Sequence, residues 1–250
     1  MKIERVGLMQ GPHREVVDAA VLSAAARLRS EGIEVCSDRA EISGGAALSR
    51  EEVIQHSDLL IVCGGDGSIL SVGRRAAVFG VPVLGANFGQ LGFLSEVEAS
   101  GLPEALDRVL QGDYEIERRL MLRATWQDRE VDALNDIVVR RESSLAVVRA
   151  DVEVDGFKLD HYVADGILVS TPTGASAYAL SCGGAIVHPR LSCLSLMAIC
   201  PHSLRARPVM LAPDQEICVR IRPRSLPAMI CADGQELISM GSDEPVRIRR

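Results

Sequence analysis

Hydrophobic positions along this 250-residue chain change period close to residue 115. In the first part, short apolar runs alternate with stretches whose apolar residues recur every three or four positions. Val6 to Met9 reads as a strand. After a turn at Gly11-Pro12, Val16, Val17, Ala20, Val21, Ala24, Ala25 and Leu28 fall on one face of a helix that Gly32 closes. Ile33 to Cys36 reads as a second strand, and Ser49 with Glu52 as the capping box of a short helix through Gln55. Leu59 to Cys63 is an unbroken apolar run, the pattern of a strand covered on both faces. It stops at Gly64-Gly65-Asp66-Gly67-Ser68. From Ser68 onward Ile69, Leu70, Val72, Gly73 and Ala76 suit a helix that Gly80 ends, and Val81 to Gly85 gives another strand. Strands alternating with helices predict a parallel sheet with helices on both faces.

Ala86 to Leu94, with three glycines and two aromatics, reads as a packed loop between domains, and Pro103 opens a helix that Gly112 ends. After Tyr114 the runs become short, β-rich and separated by turn residues: Glu115 to Thr125, Val131 to Val139, Ala146 to Val154, Lys158 to Val163 and Ile167 to Ser170. Leu194 to Ile199, Val209 to Leu211, Ile217 to Ile221 and Met229 to Cys231 continue the series. The expected fold is therefore an N-terminal parallel α/β sheet domain over 1–98. An antiparallel β-rich, sandwich-like domain over 99–250 follows it, holding one inserted helix near Ala175 to Leu180.

Composition narrows the partners. Apolar residues make up 47% of the chain, enough for a sizeable core, but aromatics are only 3% and the formal charge is −7. Both count against nucleic acid, which calls for basic excess and stacking rings. The pairs Arg118-Arg119 and Arg140-Arg141 and the run Arg247 to Arg250 are short and read as solvated strand edges. Seven cysteines, an odd number with no pair separated by two residues, fit reduced thiols better than disulfides or a zinc site. With no apolar run long enough to span a membrane and no signal core, the expectation is a soluble, cytoplasmic protein without a membrane partner.

The glycine turn carries the first candidate chemistry. Strand, glycines and helix form a phosphate-binding geometry, because amides at a helix N-terminus point at bound anions. Asp66 within it is either a turn aspartate bonding its own backbone or a general base for a hydroxyl attacking phosphorus. Arg74, two turns on, either offers charge to phosphates or is a solvated surface residue. The Walker lysine signature is absent. Asn135-Asp136 interrupts the alternation of a strand, so either the strand bulges or both side chains face a polar cavity. In Asp165 to Tyr178, Pro172 holds Thr171 extended and Gly174 opens a helix with a small, hydroxylated first turn. The stretch is a well-capped helix, or else Tyr178 is an aromatic plate beside exposed amides that could cradle adenine and ribose. Asp233-Gly234 reads as a hairpin turn, and His202 as a satisfied buried histidine. His13, His56, His161 and His188 lack metal-ligand spacing.

Taken together and in order, Gly64 to Ser68, Asn87-Phe88-Gly89-Gln90-Leu91-Gly92-Phe93-Leu94, Asn135-Asp136, Asp165 to Tyr178 with His188-Pro189, and Pro201-His202-Ser203-Leu204 with Arg207-Pro208 resemble the NAD kinases. The likeness covers nearly the whole chain. The glycine turn alone is shared with lipid kinases of the diacylglycerol type and phosphofructokinases, whereas Thr171 to Tyr178 with the proline-histidine motif is highly specific. The resemblance implies phosphorylation of the adenosine-ribose 2′-hydroxyl of NAD, with the nucleotide in a cleft between an α/β and a β-rich domain. It implies Asp66 as the base, with Asp66 and Gly67 also touching the nicotinamide half, and Asn135 and Asp136 at the ribose region or the adenosine. Asp165, Thr173, Ser176, Ala177, Tyr178 and Ser181 would line the rest of the dinucleotide site, with Gln235 nearby. Gly64, Gly65 and Ser68, together with Arg74, would serve the phosphate donor, ATP or polyphosphate, which carries a divalent cation such as magnesium; no protein metal site is implied. Homodimers or tetramers with shared sites are expected. The chain departs from the family pattern at Ser68 for threonine, Asp136 for the commoner glutamate and Ala175 for serine, and relatives continue into a tail beyond Arg250. A lipid kinase on the same glycine turn and a non-catalytic NAD(P)-sensing module are the competing readings.

Overall fold

The computed structural model describes residues 2–11, 18–89, 92–142, 147–225, 227–241 and 243–250. Expectations at Pro12, Val16, Val17, Gln90, Leu91 and Ala146 lie outside them. The chain forms two compact units, Met1–Glu117 and Arg118–Arg250.

In the first unit β1 (Arg5–Gln10), β2 (Glu34–Cys36), β3 (Leu59–Gly64), β4 (Val83–Asn87) and β5 (Val97–Glu98) form one parallel sheet in the order β2-β1-β3-β4-β5. Its helices are α1 (Ala19–Ser30), α2 (Ala40–Ser43), α3 (Arg50–His56), α4 (Asp66–Phe79) and α5 (Leu102–Gln111). The two-residue period of a strand sorts the core. Val6, Leu8, Ile61 and Cys63 pack with Val21, Ala25 and Leu28 of α1 and Leu102 and Leu106 of α5. Met9, Leu60 and Val62 on the other face pack with Val53 and Ile54 of α3 and with Ile69, Val72 and Ala76 of α4. A Cβ at Gly7 would lie 2.4 Å from Ser57 Oγ and 2.9 Å from Val53, so only glycine lets α3 sit this close to β1. The capping box at Ser49 and Glu52 is formed. The helix anticipated over residues 16–28 is described from its Asp18 cap, which accepts from the Ala20 N–H.

The boundary falls later than residue 98. α5 belongs with the first unit because its apolar face completes the layer over α1, supported by an ion pair from Arg27 to Asp107 at 3.2 Å. Pro near its start and left-handed Gly112 at its end explain its limits.

The second unit is a sandwich of two antiparallel sheets. One contains β6 (Leu122–Trp126), β7 (Arg129–Ala133), β9 (Val148–Val154), β10 (Phe157–Ala164), β14 (Ile217–Ile221) and β17 (Val246–Arg249), in the order β10-β9-β14-β17-β6-β7. The other contains β8 (Asp136–Arg141), β11 (Gly166–Ser170), β12 (Leu194–Ile199), β13 (Val209–Leu211), β15 (Ala228–Ala232) and β16 (Glu236–Met240), in the order β13-β12-β11-β8-β15-β16. Ile137, Val139, Ile167, Val169, Leu194 and Leu196 of the second sheet share a core with Ala124, Val131, Val152, Val219 and Ile248 of the first. The alternate residues Val138, Leu168 and Met197 face outward and pack with Ala179. Asp136 and Ser170, paired in register, share that outer face.

The inserted helix is shorter than expected. It is a 3-10 turn, Thr173–Ser176, followed by a single helical turn, α6 (Tyr178–Ser181), because Ala177 leaves helical geometry with ψ −129°. Arg140 and Arg141 end β8, an interior strand, so they are not at a sheet edge. All seven cysteines are free, but only Cys36 and Cys63 are buried and Cys200 is exposed. Among the described residues no helix is long and apolar enough to cross a membrane.

Candidate active site

The first unit holds the glycine turn. β3 ends at Gly64, and Gly65 (φ −91°, ψ 177°) caps α4, which starts at Asp66 and not at Ser68. Glycine at 65 stays extended without a side chain, so Asp66 enters the first turn, where a carboxylate is favoured by the helix dipole. Gly65, as the cap residue, has no side chain to bond the first-turn amides. A Cβ at Gly64 or at Gly11 would lie 2.9 Å from Ser68 Oγ, so two strand ends close tightly on that hydroxyl. Gly65 and Gly67 are exposed, and among the described residues neither would meet an obstacle within 4 Å on gaining a Cβ. This is the open surface a phosphate requires. Arg74 is only 7% exposed, which removes the solvated-surface reading.

Asp66 is not bonding its own turn. Its Oδ2 accepts from the Phe93 N–H at 2.8 Å and its Oδ1 from the Leu94 N–H at 3.2 Å. The carboxylate lies so close to Gly92 that a Cβ there would be 2.0 Å from Oδ1. The loop after β4 therefore fixes the acid. Asn87 shapes that loop, its Oδ1 accepting from the Gly89 N–H at 2.8 Å, and is itself buried. Phe93, expected to pack, is 75% exposed. Asn87, Phe88 and Gly89 also line a cavity of about 480 Å³ with Asp18, Glu98, Ala99 and Ser100.

The second unit holds a polar corner of its own on the outer face of the β8 sheet. The expected strand from Val131 to Val139 breaks at Leu134 and Asn135, between β7 and β8. Thr171 holds the break open: its N–H donates to the Asn135 carbonyl at 2.9 Å and its Oγ1 to the Leu134 carbonyl at 2.6 Å. Gly174, whose N–H donates to Thr171 Oγ1 at 3.1 Å, comes so near that a Cβ would be 2.2 Å from the Asn135 carbonyl oxygen. Among the described residues Asn135 Oδ1 is buried with no hydrogen-bond partner, so it can accept from a ligand donor. Asp136 is 5% exposed, and burial, then the charge of Asp233, push its carboxyl up to about 7.

The remaining expected residues follow along β11 and beyond it, and Asp165, just before Gly166 opposite Arg140, stands at the other end of the strand pair from Asp136 and Ser170. Thr173 is buried, with its Oγ1 accepting from Arg119 at 3.5 Å. Ser176 and Ala177 are half-buried, and the Ala177 N–H closes the 3-10 turn onto the Gly174 carbonyl. Tyr178 is 45% exposed and lies within the electrostatic reach of Asp165, Arg140, Cys182 and Cys200. Asp165 and Ser181 are exposed, and the Asp165 N–H is anchored on the Ile199 carbonyl at 2.9 Å. Gln235 is exposed in the turn after Asp233.

Two groups escaped the sequence reading. Asp233 does sit in the β15–β16 hairpin, but its carboxylate also accepts from three successive amides, Leu134, Asn135 and Asp136. Only the proximity of another acidic motif could have flagged it. The Phe93 and Leu94 amides that hold Asp66 were visible as part of a glycine motif without a stated partner. Among the described residues, no group of three or more His, Cys, Asp and Glu side chains could hold a metal ion.

Comparison with known proteins follows the same division. The family model for the ATP-NAD kinase N-terminal domain matches residues 19–114, and that for the ATP-NAD kinase C-terminal domain matches residues 134–250. The chain is 39% identical over 256 residues to the NAD kinase of Moorella thermoacetica, covering 99% of this chain and 82% of the relative. It is 42% identical over 190 residues to the NAD kinase of Caldanaerobacter subterraneus subsp. tengcongensis, covering 74% and 67%. Among solved structures, yeast NADH kinase complexed with NADH superposes with a TM-score of 0.89 at 26% identity, over 99% of this chain and 80% of that one. An Archaeoglobus fulgidus NAD kinase in complex with ATP gives 0.81 at 25% identity, over 98% and 89%.

Proposed function

Because the chain belongs to the ATP-NAD kinase family, we propose that it transfers the terminal phosphoryl group of ATP to the 2′-hydroxyl of the adenosine ribose of NAD, giving NADP. Asp66 is the general base. The observation that carries this reading is the fixed carboxylate at the open start of α4, held by the Phe93 and Leu94 amides. Those two bonds use two of about four lone-pair sites on the carboxylate, leaving room for an incoming hydroxyl proton. The hydroxyl proton passes to an Asp66 oxygen as the ribose oxygen bonds to phosphorus. The bond from phosphorus to the bridging oxygen breaks and ADP leaves. A positioned base contributes about 10²–10⁴-fold, and the rest comes from orientation and charge neutralisation on the phosphates.

The donor brings its own divalent cation, as a magnesium–triphosphate complex, to the surface formed by Gly64, Gly65 and Ser68. The adenosine half of NAD lies against Tyr178, with Asn135 Oδ1 accepting from it and Asp136 engaging ribose hydroxyls. Asp165, Thr173, Ser176, Ala177, Ser181 and Gln235 complete that side. Incubating the protein with NAD and magnesium–ATP, with parallel arms containing polyphosphate as donor or diacylglycerol as acceptor, tests the reading. NADP formation is expected in the first arm. Folded protein that made no NADP with either donor would overturn it, and phosphorylation of the lipid with NAD inert would replace it with the lipid-kinase alternative.

A further inference from the structure

Besides Thr171, a second side chain braces the break between β7 and β8. Asp233 Oδ2 accepts from the Leu134 N–H at 2.9 Å, and Oδ1 accepts from the N–H groups of Asn135 at 2.8 Å and Asp136 at 3.1 Å. The Asp233 N–H returns a bond to the Asp136 carbonyl at 3.0 Å. Its backbone is left-handed, φ 52°, as the hairpin turn between β15 and β16 demands. A hairpin needs that backbone but not a carboxylate reaching three amides of another strand connection. An acid in this place also brings negative charge to the buried carboxyl of Asp136.

Resting on the reading that Asn135 and Asp136 hold the acceptor nucleoside, we propose that Asp233 is a positioning residue for NAD: it fixes the backbone from which Asn135 and Asp136 project, and it sets a negative charge beside the Asp136 carboxyl that grips ribose hydroxyls. Among the described residues, the titratable groups set against Asp136 are Asp233 in the β15–β16 turn, Cys182 after α6 and Cys231 on β15. Both thiols are pushed up, chiefly by burial, and stay neutral, so Asp233 supplies the charge. An ionised Asp136 accepts hydrogen bonds from hydroxyls, whereas the protonated form gives up that capacity at one oxygen. With the carboxyl titrating at about 7, NAD affinity rises as pH rises through neutrality.

The experiment measures the Kd for NAD by calorimetry at pH 6, 7 and 8 on the full chain, for the wild type, Asp233→Asn and Asp136→Asn. The asparagine can keep an oxygen where Oδ1 accepts two amides, while the charge is removed. Wild-type binding is expected to be about tenfold weaker at pH 6 than at pH 8. In Asp233→Asn the span shrinks, because the midpoint moves down when the neighbouring charge goes, while the larger contribution of burial remains. Asp136→Asn shows no dependence from this group. A wild-type pH span in either variant overturns the proposal, and so does a flat wild-type profile. Thermal melts accompany each variant. If Asp233→Asn proves unfolded, Asp233→Glu takes its place: it is expected to weaken NAD binding by displacing the clamp a methylene, and wild-type affinity there overturns the proposal. Assaying NADP formation by the same wild-type preparation separates the two readings. Folded wild type that neither binds nor phosphorylates NAD removes the dinucleotide reading and this proposal with it, whereas normal turnover with variants indistinguishable from wild type removes only the role of Asp233.

Discussion

Replacing Gly92 by alanine tests how the base is held. The new Cβ would lie 2.0 Å from Asp66 Oδ1, 2.4 Å from Cγ and 2.6 Å from Oδ2. All three distances are far inside van der Waals contact, so the carboxylate must leave its place. Gly92 does not occupy the left-handed region, so alanine adds no backbone strain and the perturbation is the collision itself. Once displaced, Asp66 gives up the Phe93 and Leu94 amide bonds. Hydrogen bonds to a charged group are worth about 1.5–3 kcal/mol each. Part of that loss is recovered by water at this half-buried position, so rate and not stability bears the effect. Misplacing a reacting group by about 1 Å costs on the order of 10²-fold. Steady-state NADP formation should therefore show kcat down by about 10²-fold, with the thermal midpoint little changed. A folded Gly92→Ala enzyme with near-wild-type kcat would refute the reasoning, because the base would then work equally well out of its amide clamp.

Three further outcomes are expected. Gly174→Ala sets a Cβ 2.2 Å from the Asn135 carbonyl oxygen and 2.6 Å from Ser170 Oγ; overpacking against backbone costs about 1–3 kcal/mol, to be read by urea unfolding, with a raised KM for NAD. Tyr178→Ala removes a half-exposed ring, and losing an aromatic stack worth about 1–3 kcal/mol raises the KM for NAD by about 10-fold or more, while Tyr178→Phe largely retains it. Asp136 is protonated in the folded protein up to about pH 7 but only to about 4 when unfolded, so its ionisation opposes folding as pH rises between those values. Asp136→Asn should accordingly stabilise the protein more at pH 8 than at pH 5, by an amount on the order of a few kcal/mol between the two, and thermal melts at both pH values measure it.

The elements that carry the candidate residues of each unit were readable wherever burial on one or two faces imposes a period. β3, β12, β13 and β14 fall where their apolar patterns place them, and Gly80 and Gly112 end their helices in the left-handed conformation glycine allows. β16 was signalled only by its hairpin turn at Asp233-Gly234 and β17 only as a strand edge at Arg247 to Arg250, although β17 lies inside its sheet, since after Cys231 the residues alternate too briefly between turn signals to stand out from a coil. Asp66 was legible as an anomaly among glycines, but its hydrogen-bond partners are 27 and 28 residues away and belong to backbone amides, which carry no side-chain signature. Asn135-Asp136 was legible as an interruption. That the strand ends there, and does not bulge, depends on Thr171 and Asp233, respectively 37 and 99 residues from Leu134 in sequence. Arg74 shows the limit of charge as a guide: its place on α4 suits a surface, yet it is buried.

Phosphoryl transfer by Asp66→Asn measures the central claim most directly. The amide keeps an oxygen that can accept from the Phe93 or Leu94 N–H but cannot take a proton at neutral pH. With NAD and magnesium–ATP saturating, the account predicts NADP formation slowed by about 10²–10⁴-fold while calorimetry still detects NAD binding. NADP formation at a near-wild-type rate in that variant would contradict it.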